Sequence, residues 1–488
     1  MPFTPSPEVA EIRARLAHPV IDADGHLVEF TPLVRDFLVE EAGESVAKRF
    51  DTLVHGSQLS RQVPLEKKRE FGISRYAWWG LPCRNTLDRA TAMLPGLMHQ
   101  RLDELGIDFA LLYPTYGLTI TAVDDAELRQ AAARAFNRST AELYTGYRDR
   151  LEPVAAIPMF TPEEALAELE HAVATRGLKA VMMAGVIPRP VPGAEAVRGA
   201  RWIDTLAHDS EHDYDRVWAR CAELRVAPTF HASGQGWGTR MSRTSYVYNH
   251  IGNFAAAGEA ACRSLFLGGV PRRFPTLRFA FLEGGVAWAA SLYSDILGHW
   301  EKRNARAIAH YDPARLDRPL FEKLLAEHAP REIAARVDRL DEALLMLCDP
   351  DEDPAARDEF AACGIARPED VRDVFTRQFF FGCEGDDPMT AIAFQRGLHP
   401  LGARLPALFA SDIGHWDVPD AREVLVEAWE LVERGHLDEA DFRELVFGNA
   451  VRLFGETNPA FFEGTAVADA ARRAMRPARE RSEPAEPG

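Results

Sequence analysis

The chain contains no uncharged apolar run approaching the roughly 18 residues that cross a bilayer, so a membrane-spanning helix is not expected. Cysteine is sparse: Cys83, Cys221, Cys262, Cys348, Cys363 and Cys383 are scattered without a C-x-x-C pair. That spacing offers neither a zinc ribbon nor a disulfide framework and fits a reducing cytoplasm. Positive charge is in deficit, with 56 Lys and Arg against 74 Asp and Glu, a net charge of −18 and a pI near 5.4. Nucleic acid and anionic membrane are therefore poor partners, because a phosphate backbone demands a basic surface. The N-terminus, MPFTPSPEVAEIRARL, carries three early prolines and no apolar h-region, so no signal peptide is read there and a soluble cytoplasmic protein is expected.

What the chain does have is a core of ordinary size: 47% of its 488 residues are hydrophobic and 27% charged, as in soluble globular proteins. Short apolar runs bounded by turn residues predict eight strands, near 20–26, 108–115, 151–159, 177–185, 227–233, 277–285, 377–383 and 407–412. Runs such as DFALLYPT, EPVAAIPM and LKAVMMAG are apolar almost continuously, the mark of a parallel sheet buried on both faces. Helical patterns lie between several of them, and those before the fourth and fifth strands are opened by Thr or Asp and closed by Gly or Val. Strand and helix alternating eight times predict an α/β fold, a (β/α)8 TIM barrel. An extension over 1–19 precedes one barrel domain over 20–465, and a tail over 466–488, rich in Arg, Glu and Pro, is expected to be partly disordered. Two connections, about 31–100 and 295–370, are too long for plain loops and are expected to build over the C-terminal face. The second is charged enough to serve instead as an oligomer contact.

Several strands end in residues that can ligate a metal. Asp24 and His26, in VIDADGHLVEF, are spaced i, i+2 and so share one face of a strand end. His231 in APTFHAS, Glu283 in LRFAFLEGG and Asp412 in PALFASDIGHWD occupy the same local context. In a barrel of this kind the C-terminal strand ends surround one active site. Two imidazoles with two or three carboxylates make a mixed N/O donor set that suits a single Zn2+, with Mn2+ or Fe2+ as alternatives. Lys179 lies at the start of its strand and is not expected to join.

From VIDADGHLVEF through ELGIDFALLYPT, HASGQG, GGVPRRFPTLRFAFLEGGVAW and FASDIGHWD to VFGNAVRLFG, the chain resembles the amidohydrolase-2 group, which includes aminocarboxymuconate semialdehyde decarboxylase and related metal-dependent decarboxylases and hydrolases. The resemblance implies that Asp24 and His26 stand for the group's H-x-H or E-x-H pair, and that Asp24, His26, His231 and Asp412 hold the metal. Many relatives carry a His at the end of strand six, where this chain has Glu283. Glu283 is then a general acid or base, a ligand, or a carboxylate that orients a ligand.

His415 and Asp417 follow Asp412 in the loop over the site. His415 suits substrate holding or proton transfer, with capping as the alternative, and Asp417 and Glu29 are candidates to orient the ligands from behind. Arg240 and Arg243 are candidate forks for a substrate carboxylate, with Arg75 and Arg84 as further possibilities. Trp237 and Trp78, with Trp79 and Tyr246, are candidate pocket walls. The expected activity is decarboxylation of a small carboxylated aromatic or unsaturated compound. The alternatives are hydrolysis of a C–N, C–O or C–C bond by metal-activated water and, in another class, a metal-binding barrel without turnover. A homodimer is the expected assembly.

Overall fold

A computed structural model describes residues 3–54, 62–70, 72–75, 80–81, 83–195, 197, 200–346, 353 and 357–476. Eight parallel strands follow one another round a barrel: β1 (Ile21–Leu27), β2 (Phe109–Pro114), β3 (Leu151–Ile157), β4 (Ala180–Met183), β5 (Pro228–Phe230), β6 (Phe279–Phe281), β7 (Phe379–Glu384) and β8 (Ala407–Ala410). Each pairs with the next, as in Ala110 opposite Leu151 and Phe281 opposite Phe381. The circle closes between β8 and β1 at the C-terminal end. There the N–H of Asp412 donates to the Asp24 carbonyl (3.1 Å) and the N–H of His26 to the Ile413 carbonyl (3.2 Å).

Alternation along the strands sorts their side chains into an outer and an inner set. Phe230, Phe279, Phe281 and Phe381 stack in register on the outer face, where Trp218 and Trp288 from the surrounding helices meet them edge-on. Tyr113 and Thr229 belong to the inner set, and the Tyr113 hydroxyl donates to Thr229 Oγ1 across the barrel (3.0 Å). Asp22, Asp24 and His26, spaced by two on β1, are all buried. The pairing register of β1 on β2 shifts between Asp22 and Gly25, the irregularity that bends a strand end toward a site.

Five helices between 31 and 105 make up the described part of the first insertion. Val34, Leu38, Ala47 and Phe50 from its first two form a small separate core with Leu128, Ala132 and Phe136 of the helix Ala126–Tyr144. Phe50 meets Phe136 edge-on at 5.9 Å. In the second insertion, the helical segments from Arg318 to Leu345 bury only Leu340, as their charge suggested. An antiparallel ribbon, Ile187–Pro190 with Arg201–Asp204, follows β4 and has no counterpart in the strands expected from the sequence. The extension forms a helix, Pro7–Arg15, that buries Val9 and Ile12, and the tail begins with a helix, Ala468–Met475. The end of that tail, 477–488, lies outside the described residues. Among the described residues no helix is long and apolar enough to cross a membrane.

Candidate metal centre

The C-terminal ends of β1, β5, β6 and β8 bring Asp24, His26, His231, Glu283 and Asp412 into one buried cluster. His26 Nε2 lies 3.3 Å from Asp412 Oδ1, 3.7 Å from Asp24 Oδ1 and 3.9 Å from Glu283 Oε2. His231 Nε2 lies 2.8 Å from Glu283 Oε2 and 4.0 Å from Asp24 Oδ1. His415 completes the group: its Nδ1 is 2.6 Å from Asp412 Oδ1 and its ring stacks on that of His26 with centroids 3.8 Å apart. The other nitrogen of His415 meets Thr115 Oγ1 at 3.1 Å, and that hydroxyl donates to the Leu27 carbonyl, so the ring is braced against the end of β1.

Backbone geometry aims the two carboxylates that follow short strands. Glu283 and Asp412 both adopt left-handed conformations, φ 53° and 48°, which cost a side chain with a Cβ about 1–2 kcal/mol. Strain of this kind concentrates at functional sites. Behind Asp24, the Asp22 carboxylate accepts from the Ser411 N–H (3.0 Å), the Ser411 hydroxyl (2.5 Å) and the Asp24 N–H (3.2 Å), locking β1 to β8. Burial pushes the Asp22 carboxyl up to about 6, against the lowering effect of those hydrogen bonds.

Electrostatically the cluster is short of positive charge. Burial drives the carboxyls of Asp24, Glu283 and Asp412 well above the ordinary carboxylate range, and neighbouring acids add to it. Burial also holds His26, His231 and His415 below the ordinary imidazole range. Asp24 Oδ1, both nitrogens of His26 and of His231, Glu283 Oε2 and both oxygens of Asp412 are buried without a hydrogen bond of good geometry. Buried polar atoms are normally satisfied, so a cluster of this kind calls for an ion. Atoms bound to a cation at about 2.1 Å stand about 3–3.5 Å apart, close to the separations found here. Two overlapping ligand groups share His26: Asp24, His26 and His231, and His26, Glu283, Asp412 and His415. The residues present therefore fit one divalent cation.

A cavity of about 220 Å³ adjoins the cluster, with Glu283 in its wall together with His250, Asn253, Phe254, Glu384 and Asp387. Glu384 is an addition to the candidates read from the sequence; it ends β7 in the run FFFGCE, the same pattern of an apolar strand closing on an acid. Burial and the nearby Glu283 push its carboxyl well up. His250 packs edge-on against Phe254 and Trp416.

The remaining candidates are placed as follows. Glu29 accepts from the N–H groups of Tyr116 (2.9 Å) and Gly117 (3.0 Å), fastening the segment after β2 to the end of β1. Asp417 stands beside Asp412 and Glu283, raising both. Arg240 donates to the carbonyls of Ile251 and Gly252, and Arg243 to that of Leu65 at the start of the helix Leu65–Glu70, so both guanidinium groups are committed to backbone carbonyls. Arg75 lies over the Tyr246 ring, 3.9 Å from its centroid, and Arg84 is exposed. Trp237 is partly buried against the core. Trp78 and Trp79 lie outside the described residues. Lys179, at the start of β4, donates to the Phe461 carbonyl (2.9 Å), far from the strand ends that carry the cluster.

Parallel barrels that gather imidazoles and carboxylates at their C-terminal strand ends form a class of metal-assisted enzymes, and this chain has that construction. Within the class it belongs to the amidohydrolase family, whose sequence profile matches residues 21–346. No curated protein matches it significantly. Among solved structures it is similar to 2,6-dihydroxybenzoate decarboxylase from Rhizobium (17% identity, 90% of this chain and 98% of that one, TM-score 0.48). It is also similar to an amidohydrolase from Mycobacterium avium subsp. paratuberculosis K-10 (20%, 76% and 76%, TM-score 0.46). A third is the manganese-bound 5-carboxyvanillate decarboxylase from Novosphingobium aromaticivorans (13%, 93% and 98%, TM-score 0.47).

Proposed function

We propose that the protein is a non-oxidative carboxy-lyase that removes carbon dioxide from a small carboxylated aromatic or unsaturated compound, with one divalent cation held by Asp24, His26, His231 and Asp412. The observation that carries this reading is the position of Glu283, which belongs both to the ligand cluster and to the wall of the adjoining cavity. When bound, the cation supplies Lewis acidity toward the substrate's carboxylate and a neighbouring oxygen. Zn2+ is the first metal to test, with Mn2+ and Fe2+ next because carboxylate oxygens harden the site.

In this reaction the carbon–carbon bond to the carboxylate breaks, its electron pair stays on the substrate carbon, and a proton takes the place of carbon dioxide. Glu283, buried in the ligand cluster and in the cavity wall, is the group that gives that proton to an atom lying in the cavity, and it is reprotonated from the cavity side. Thr115 and Asp412 hold His415 from its two nitrogens, so that ring orients Asp412.

The test is an assay of metal-loaded protein on a panel of hydroxylated aromatic acids, reading carbon dioxide release against the appearance of new hydrolysis products. Release should be abolished by a chelator, and Glu283→Gln should lower kcat by about 10²–10⁴ while leaving the metal in place. Water-derived products without carbon dioxide would replace the proposal by metal-assisted hydrolysis. A protein that takes up no divalent metal would overturn both.

A further inference from the structure

A second cavity, of about 510 Å³, lies on the opposite face of the barrel. Its wall includes Leu405 and Pro406, immediately before β8, and Arg372 and Thr376, on the helix that leads into β7. Five guanidinium groups line it, those of Arg372, Arg396, Arg404, Arg443 and Arg452, against a single lining carboxylate, Glu444. In a chain with a net charge of −18 that concentration of cations is out of character.

Three of the five are compensated: Arg372 by Asp373 (2.9 Å), Arg404 by Asp441 and Arg443 by Glu444. Arg396 and Arg452 form no ion pair with any described residue. Arg452 is largely buried, donates to Asn449 Oδ1 (3.2 Å) and the Thr376 carbonyl (2.7 Å), and lies 5.5 Å from the Phe380 ring centroid. Its burial lowers the guanidinium pKa, with the more distant Glu456 and Glu444 opposing that effect. Arg404 and Arg443 lie over Phe394 and Phe447, at 5.1 and 5.4 Å. Guanidinium groups backed by rings are held in orientation, and their planar forks match carboxylate and phosphate oxygens in pairs.

We propose that this arginine-lined cavity at the N-terminal end of the barrel is a binding site for a small dianion, a phosphoryl group or a dicarboxylate, whose two charges match the two guanidinium groups without carboxylate partners. The site is separate from the metal centre: Leu405 and Pro406 precede β8, whereas Asp412 follows it.

Titration calorimetry of the full-length, metal-loaded protein with inorganic phosphate in one arm and malonate in the other tests this. Saturable binding tighter than about 1 mM is expected in at least one arm, and the arm that binds identifies the chemistry. Arg396 is exposed and unpaired, so Arg396→Glu should fold normally, with an unchanged melting temperature, and weaken that binding about tenfold or more. Absence of saturation in both arms would overturn the proposal. So would binding that Arg396→Glu leaves unchanged, since the anion would then sit elsewhere, at the metal included.

Discussion

His26 sits where the two candidate ligand groups overlap, within 4 Å of Asp24, Glu283 and Asp412 and stacked on His415. His26→Ala is expected to lower bound divalent metal by about tenfold or more and to remove activity with it, as read by metal analysis of the purified variant. One position away, Gly25 is required for steric reasons: a Cβ there would stand 2.4 Å from Asp22 Oδ2, the oxygen that accepts from the Ser411 hydroxyl. Gly25→Ala should therefore cost about 1–3 kcal/mol in urea unfolding by disturbing that buried pair; an unchanged midpoint would show the pair to be dispensable. Much of the residue-level picture was legible, because an apolar strand that ends in His, Asp or Glu is a local signal. Glu384 carries the same signal at the end of β7. The fates of Arg240 and Arg243 were not legible, since the carbonyls that engage them are brought there by tertiary packing, Leu65 from 178 residues away, which no periodicity records.

The strands were the most legible elements. Most are runs of apolar residues, and the expected limits fall within a few residues of the observed ones, as in 20–26 for Ile21–Leu27 and 407–412 for Ala407–Ala410. The ribbon after β4 escaped because each arm has four residues and the first has Pro188 and Pro190 in it, which argue against a strand when read alone. The helix expected over the TPEEALAELEHAVATRG run is present, but its second half, Glu170–Thr175, widens into a π-helix, which no propensity rule anticipates. The first insertion, expected to build over the C-terminal face, owns a core of its own with the helix Ala126–Tyr144. Phe50→Ala should open that core at a cost of about 3–5 kcal/mol. Hydrogen exchange should then accelerate over 31–54 and 126–144 while β5 to β8 keep their protection; uniform acceleration would mean that the two cores unfold together.

At the scale of the molecule, stability carries a pH dependence that one buried acid makes visible. Glu168 accepts from the Asn137 amide (2.8 Å) and lies 3.4 Å from Arg134, yet burial holds its carboxyl up at about 7, above the ordinary 4.5. The folded state therefore binds this proton more tightly than the unfolded one. Its contribution is fully present below pH 4.5 and is lost as pH rises through 7. Glu168→Gln should flatten that slope and gain up to about 3 kcal/mol on the wild type at pH 8. Denaturant unfolding at pH 5 and pH 8 measures it, and equal differences at the two pH values would refute it. A contribution of this kind matters most for a chain with an acid excess, where every further ionisation adds to repulsion.

The seam between β8 and β1 joins positions nearly four hundred residues apart, with Asp412 bonded to Asp24 and Ile413 to His26. While a ribosome is still making the chain, its opening segment has half of the proposed metal cage and nothing to close it. Turnover thus becomes available only to polypeptides whose synthesis has passed the final strand, and any premature stop upstream of it yields an inert fragment instead of a partly active one.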